Sequence, residues 1–267
     1  MKSTNSPALF SLVLICLLVT AAGADPVAGI YSVAADTSGP PPQEASVYIS
    51  HAKEAVDAGN WTGAILVTTR GLAWYPNDPE LLCLQAYSYR KTGEYQKAVD
   101  IVSRAIPLDP RAVRYANRGY GYLALGNYSA ALMDAEAGIT QDPSYTTNYG
   151  VKALALQGLS KNPEAVAAID TAIAQSPDSA HYWHIKGRVL SGGGDCSGAA
   201  AALEKSIALD PDYTLPYPSF GTAREDLADL NTTCRPPGAS PGSTRASAGI
   251  IAAIGCLGAV IAVGMKR

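Results

Sequence analysis

Prolines recur along this chain at a nearly fixed interval. Pro76, Pro110, Pro143, Pro177 and Pro211 are separated by steps of 34, 33, 34 and 34 residues. Four of them sit in related stretches: "IPLDPRA" from Ile106, "ITQDPSY" from Ile139, "IAQSPDS" from Ile173 and "IALDPDY" from Ile207. This period constrains the fold strongly, because a unit so short cannot bury its own apolar face. It must stack on copies of itself, so the chain is read as a repeat array.

Aligning the blocks on their prolines exposes further columns. Seventeen residues ahead stand Gly59, Gly93, Gly126, Ser160 and Gly194, and two residues after these come Trp61, Tyr95, Tyr128, Asn162 and Cys196. Three residues further on there is always an alanine: Ala64, Ala98, Ala131, Ala165 and Ala199. Each block then holds two apolar-periodic stretches, such as "YANRGYGYLAL" and "SAALMDAEAGI", parted by a Gly-containing turn. The glycine supplies a left-handed residue that ends the first helix. The alanine lets the two helices of a block cross closely, and the aromatic after the turn is expected to close the end of that crossing. The proline forces its preceding residue out of the helical region and stops the second helix.

These columns resemble the tetratricopeptide repeat family. The best copies are "YANRGYGYLALGNYSAALMDAEAGITQDP" and "LLCLQAYSYRKTGEYQKAVDIVSRAIPLDP", with a small-residue column of Ala52, Ala86, Gly119, Ala153 and Gly187 in the first helices. Block four departs most, with "SKNPEA" in place of Gly-x-aromatic, so its repeat is expected but the regularity of its turn is not. The resemblance implies an all-α, right-handed αα-superhelix of five repeats over residues 45–231. After Pro211 a sixth first helix, "YTLPYPSFGTAREDLADLNTT", is expected to cap the last apolar face.

The two ends place the array in a compartment. Lys2, the apolar run Ala8–Val19 and the small-residue site Ala22-Gly23-Ala24 read as a signal peptide over residues 1–24. Residues 25–44, with "SGPPPQ", form a flexible lead-in. Residues 232–247 are rich in Pro, Gly, Ser and Thr and read as a stalk. From Ala246 to Met265 the chain carries no charge for twenty residues, enough at about 1.5 Å per residue to cross a core of roughly 30 Å. A transmembrane helix is therefore expected over 248–265. Lys266 and Arg267 then form a cytoplasmic basic tail, with the repeat domain on the extracytoplasmic side of the cell membrane. The order of spacer, apolar span and basic pair also resembles processed sorting tails of surface proteins, though no diagnostic sorting motif is present.

No catalytic constellation, phosphate loop or zinc spacing is present, and no cofactor or metal is expected. His181 and His184 are three apart on one helix without a third ligand, and read as solvated groove residues. A formal net charge of -3 gives no bulk attraction to nucleic acid. By the resemblance, first helices line a concave face that takes peptides or partner helices. Carried over, the groove candidates are Tyr87, Arg90, Lys91, Tyr120, His181, His184 and Arg188. The Lys/Asn clamp of chaperone-binding relatives is not met, since its places hold Ile49, Lys53, Leu84, Val113 and Ala116. Cys196 and Cys234 are expected to form a disulfide stapling the cap, and Asn60, Asn127 and Asn231 are candidate glycosylation sites. The reading is a non-enzymatic, exported and anchored scaffold with a protein or peptide partner. The alternatives are a docking subunit of an extracytoplasmic enzyme or transport complex, or a structural cell-surface component.

Overall fold

The computed structural model describes residues 43–215 and 221–233. The signal peptide, most of the lead-in, the stalk, the C-terminal span and Cys234 lie outside the described residues. Five helix pairs follow one another: α1 (Ala45–Asp57) and α2 (Trp61–Trp74), α3 (Pro79–Lys91) and α4 (Tyr95–Ala105), α5 (Ala112–Ala124) and α6 (Tyr128–Gln141), α7 (Thr147–Gly158) and α8 (Asn162–Gln175), α9 (Ala180–Gly192) and α10 (Cys196–Leu209). A last helix, α11, spans Ala223–Thr233. The only bridge among the described residues is an isolated antiparallel one between Thr214 and Thr222. None of the described helices is long and apolar enough to cross a membrane.

The five inter-helix turns share one geometry. Gly59, Gly93, Gly126 and Gly194 have φ between 69° and 85°. The residue after each glycine then donates back to a carbonyl five residues earlier. Asn60 reaches Ala55, Glu94 reaches Tyr89, Asn127 reaches Tyr122 and Asp195 reaches Leu190, at 2.8 to 3.0 Å. This is the 6→1 bond that satisfies an orphan carbonyl at a helix C-terminus. Block four makes the same turn with Ser160 at φ 60°, and Lys161 N–H donates to Leu156 at 2.9 Å. Its turn is thus regular after all: stacking on blocks three and five imposes the geometry, at the cost of a left-handed serine of about 1 kcal/mol. Directly after these turns, Asn60, Asn127 and Asp195 cap the second helices, each accepting from the backbone N–H three residues on. Two candidate glycosylation asparagines are therefore also helix caps.

The two small-residue columns face each other across each pair. The alanine column is almost wholly buried. A Cβ on Gly187 would lie 2.5 Å from Leu203 and 3.3 Å from the Ala199 carbonyl, and one on Gly119 would lie 3.6 Å from that of Ala131. Two of the turn aromatics also reach the junction to the next block. Trp61 on α2 meets Tyr87 on α3 edge to face at 5.8 Å, and a Cβ on Gly158 of α7 would collide with the ring of Tyr128 on α6. The second helices of the other four blocks end two residues before their prolines. By contrast α4 stops at Ala105, where Pro107 has no N–H to offer the preceding turn.

The cap also differs. Among the described residues no helix starts within 211–215, and α11 begins at Ala223. Its start is set by a reciprocal capping box. Thr222 Oγ1 accepts from the Glu225 N–H at 3.2 Å, while Glu225 Oε2 accepts from the Thr222 N–H at 2.6 Å. Pro216 and Pro218 disfavour an earlier start. Ala223 and Leu230 of α11 then bury themselves against Ala199 and Leu203, covering the last apolar face.

Candidate partner-binding surface

The first helices α1, α3, α5, α7 and α9 pack side by side, each touching the next. Along each helix the residues three, six and ten before the turn share one face, since these offsets fall on one stripe of a helix. That stripe carries Tyr87 and Arg90 on α3, Tyr120 on α5, Gly150 on α7 and His184 and Arg188 on α9. Tyr120 of α5 reaches His181 of α9 across the intervening α7, which requires the stack to curve toward this face. Gly150 lies under this crossing: a Cβ there would lie 3.3 Å from Ile185 Cδ1, 3.5 Å from the Tyr182 ring and 3.6 Å from the Tyr120 hydroxyl.

The C-terminal half of the face is sealed by its own side chains. His181 Nε2 lies 2.9 Å from the Tyr120 hydroxyl and its Nδ1 lies 2.6 Å from the Tyr213 hydroxyl. In the neutral ring one hydroxyl donates to the bare nitrogen and the other accepts from the ring N–H. Burial pushes the His181 pKa down to about 3, with smaller contributions from His184, Arg90 and Lys91. Burial likewise raises the phenol pKa of Tyr120 and of Tyr213. Tyr182 and Thr146 share a hydroxyl–hydroxyl bond of 2.6 Å beside them. Toward the cap, His184 Nε2 donates to Asp226 of α11 at 2.7 Å, and Arg188 Nη1 donates to both oxygens of the same carboxylate at 2.9 and 3.0 Å. Burial raises the Asp226 pKa, but the His184 hydrogen bond and the Arg188 charge outweigh it and leave the carboxyl below its usual value. His184 is fully buried. The expectation of two solvated histidines is corrected here: Asp226 and Tyr213, both after α10, cover them.

The N-terminal half is different. Trp61, Tyr87 and Lys91 are half-buried, and the Lys91 ammonium lies 5.3 Å from the Trp61 ring and 5.6 Å from that of Tyr87. Burial, then the neighbouring Arg90 charge, lowers the Lys91 pKa. Arg90 itself is 3 % exposed. Its guanidinium carbon sits 5.0 Å from the Tyr87 ring and 5.2 Å from the Tyr120 ring. Nη2 donates to Asn117 Oδ1 at 3.3 Å, and Asn117 in turn donates to Cys83 Sγ at 3.4 Å. Burial raises the pKa of this thiol and keeps it protonated.

Of the residues read from sequence, Tyr87, Arg90, Lys91 and Tyr120 thus form one cluster, His181 joins it through Tyr120, and His184 and Arg188 belong to the cap contact. Sequence reasoning missed Asn117, Tyr213 and Asp226. Tyr213 had a signal, for it stands two residues after its proline as Tyr145 does. Gly150 had one as well, being a glycine inside a helix with no turn to make. On another side of the solenoid a cleft of about 450 Å³ lies between α6, α7 and α8, lined by Leu132, Tyr149, Leu156 and the paired Lys152 and Glu136, 3.1 Å apart. Cys196 is disulfide-bonded, and Cys83 is free. Among the described residues no group of three His, Cys, Asp or Glu side chains is placed to hold a metal.

Comparison with known proteins agrees with this architecture. The tetratricopeptide repeat family profile matches residues 49–113 and 151–230. Human serine/threonine-protein phosphatase 5 is 36% identical over 93 residues, 34% of this chain and 19% of that protein. The small glutamine-rich tetratricopeptide repeat-containing protein 2 of Saccharomyces cerevisiae is 33% identical over 90 residues, 33% of this chain and 26% of its own length. The chain therefore matches only a minor part of either relative. Among solved structures, a thermophilic TPR protein of Thermus thermophilus superposes with a TM-score of 0.60 at 19% identity, covering 71% of this chain and 100% of that one. MamA of Desulfovibrio magneticus RS-1 gives 0.53 at 22% identity, covering 64% and 97%. These likenesses are in fold.

Proposed function

Since the chain belongs to the tetratricopeptide repeat family, whose folds generally mediate protein–protein interaction, we propose that it is a non-enzymatic scaffold that holds a polypeptide partner on its concave face. One observation carries this reading: the face is divided. Its C-terminal half is closed by the Tyr120–His181–Tyr213 chain and the His184–Asp226–Arg188 contact. Its N-terminal half keeps Trp61, Tyr87 and Lys91 half-buried, with aromatic and cationic groups meeting a surface where a partner can reach them. Tyr, Trp and Arg are the side chains on which binding energy concentrates.

The scaffold works outside the cell, held by the C-terminal apolar span. Support comes from the N-terminal apolar run ending in Ala22-Gly23-Ala24, the uncharged stretch Ala246–Met265 and the disulfide at Cys196, which suits an oxidising compartment. Crosslinking and co-purification from native membranes test both parts. A discrete partner should be recovered with the full chain and lost with Tyr87→Ala/Lys91→Ala. Protease added to intact cells should remove the repeat domain. Recovery of the same partner with the double variant, or a repeat domain protected from external protease, rejects the corresponding part.

A further inference from the structure

The buried cations of this solenoid are not treated alike. Arg114, 1 % exposed, has the Asp109 carboxylate at 2.7 Å and Glu80 at 3.7 Å. Arg118 grips Asp134 with two bonds of 2.7 and 2.8 Å. Arg188 shares Asp226 with His184. Arg90 is nearly as deeply placed as Arg114 and deeper than Arg118 or Arg188, yet among the described residues it has no carboxylate partner. Its Nε and Nη1 are buried without a hydrogen-bond acceptor, and its one bond is to the neutral amide of Asn117. Tyrosine faces on two sides offset part of the charge. They cannot replace an anion, because an unpaired charge removed from water costs several kcal/mol. The neighbouring charge, Lys91, is another cation.

We propose that Arg90 is an anion subsite of the concave face, and that its ligand is a carboxylate carried by the bound partner polypeptide. This rests on the partner-binding reading above and adds the chemistry of what is bound. The carboxylate supplies the missing negative charge and accepts from the idle N–H groups of Nε and Nη1. Tyr87, half-buried on one side of the guanidinium, is the wall that yields to admit it, and Lys91 sits beside the entry. Arg90 is not one of the Lys/Asn clamp positions, which here hold mostly apolar residues. The carboxylate comes from an acidic side chain or from a chain terminus, and the two sources share this recognition.

The test uses the full chain, immobilised in detergent, and three pools of short synthetic peptides. One pool has free C-termini and lacks Asp and Glu. The second is amidated and contains Asp and Glu. The third is amidated and lacks both. Wild type should enrich peptides from the first or second pool and not from the third, the responding pool identifying the source of the carboxylate. Arg90→Gln should weaken that binding about tenfold or more, the usual worth of a hydrogen bond to a charged group, while Arg90→Lys keeps part of it. Arg90→Met replaces the glutamine variant if circular dichroism shows the latter unfolded. Equal enrichment from the third pool, or binding indifferent to Arg90, overturns the carboxylate while leaving peptide binding in place. Enrichment from no pool overturns the scaffold reading itself, and the subsite with it.

Discussion

Acid should loosen this solenoid through His181 well before its carboxylates titrate. In the folded chain both ring nitrogens are covered by tyrosine hydroxyls. Burial, with His184, Arg90 and Lys91 nearby, holds the imidazole at a pKa of about 3. In the unfolded chain an imidazole titrates near 6.5. The unfolded chain therefore binds the proton first, so stability is lost as pH falls through about 6.5 and continues to fall until about 3. Between pH 7 and pH 5 the difference amounts to a ceiling of about 2 kcal/mol, and about 1–2 kcal/mol once the accessible edge of this half-buried residue is allowed for. Asp226 does not contribute in this window. Its depressed carboxyl gives stability that is complete above the ordinary value near 4 and is lost only below it.

Urea denaturation of the wild type at pH 7, 6 and 5 reads the loss. The same series on His181→Gln isolates it, because glutamine can replace one of the two hydrogen bonds but does not titrate. The variant should be less stable at pH 7, and its stability should change less than that of the wild type as the pH falls. Wild-type and variant curves running parallel from pH 7 to pH 5 would refute the reasoning: either the ring is already protonated in the folded chain or solvent reaches it freely.

Four further expectations follow from single contacts. Arg90→Met removes an unpaired buried charge and keeps the stem, so urea midpoints should be unchanged or correspond to as much as about 2 kcal/mol of added stability; a loss beyond that would make Arg90 a structural residue. Asp226→Ala strands His184 and Arg188 and should cost about 2–4 kcal/mol, with amide-exchange protection lost first in α11 and the end of α9. Ser160→Gly relieves the left-handed serine and should raise stability by about 1 kcal/mol in the same urea assay, whereas the change at an ordinary helical serine would lower it. Peptide mapping without reductant should recover Cys196 joined to Cys234, and reduction should cost roughly 4 kcal/mol for a loop closed between positions 196 and 234; alkylated Cys196 would dismiss the pairing.

The repeat was legible because its constraints are local and recur. A proline that ends a helix, a residue that must turn left-handed and an alanine at a close crossing each act within a few residues, so five copies reinforce one register. Ser160 shows the limit of reading by residue type. The turn needs the conformation, glycine merely adopts it most cheaply, and neighbouring blocks enforce it where glycine is missing. The reach of the turn aromatics Trp61 and Tyr128 to the next block was not legible, because a single block does not display its neighbour. The site was less legible. Tyr213 and Asp226 lie beyond the last repeat, where no column marks them, and they reach back 32 and 42 residues to His181 and His184. The resemblance assigned those histidines to the first helix of block five, and they lie on α9. What it could not supply was their cover, which comes from a cap that starts at Ala223 and not at Pro211.

One glycine links the two halves of the concave face. A Cβ at position 150 would touch the Tyr120 hydroxyl and the Tyr182 ring at ordinary contact distance and press Ile185 Cδ1 at 3.3 Å, so a side chain larger than alanine would crowd the place where Tyr120 meets His181. With glycine there, Tyr120 lies over toward α9, gives its hydroxyl to the sealed half and still presents its ring face to Arg90 at 5.2 Å. The same tyrosine therefore closes one half of the groove and walls the cation in the other. Acid that charges His181 weakens the first role by unsettling the hydroxyl chain, and a shift of the ring then reaches Arg90. The Arg90 end of the folded face should consequently keep its order down to about pH 3, below which a charged His181 adds a further positive charge to those of Arg90 and Lys91.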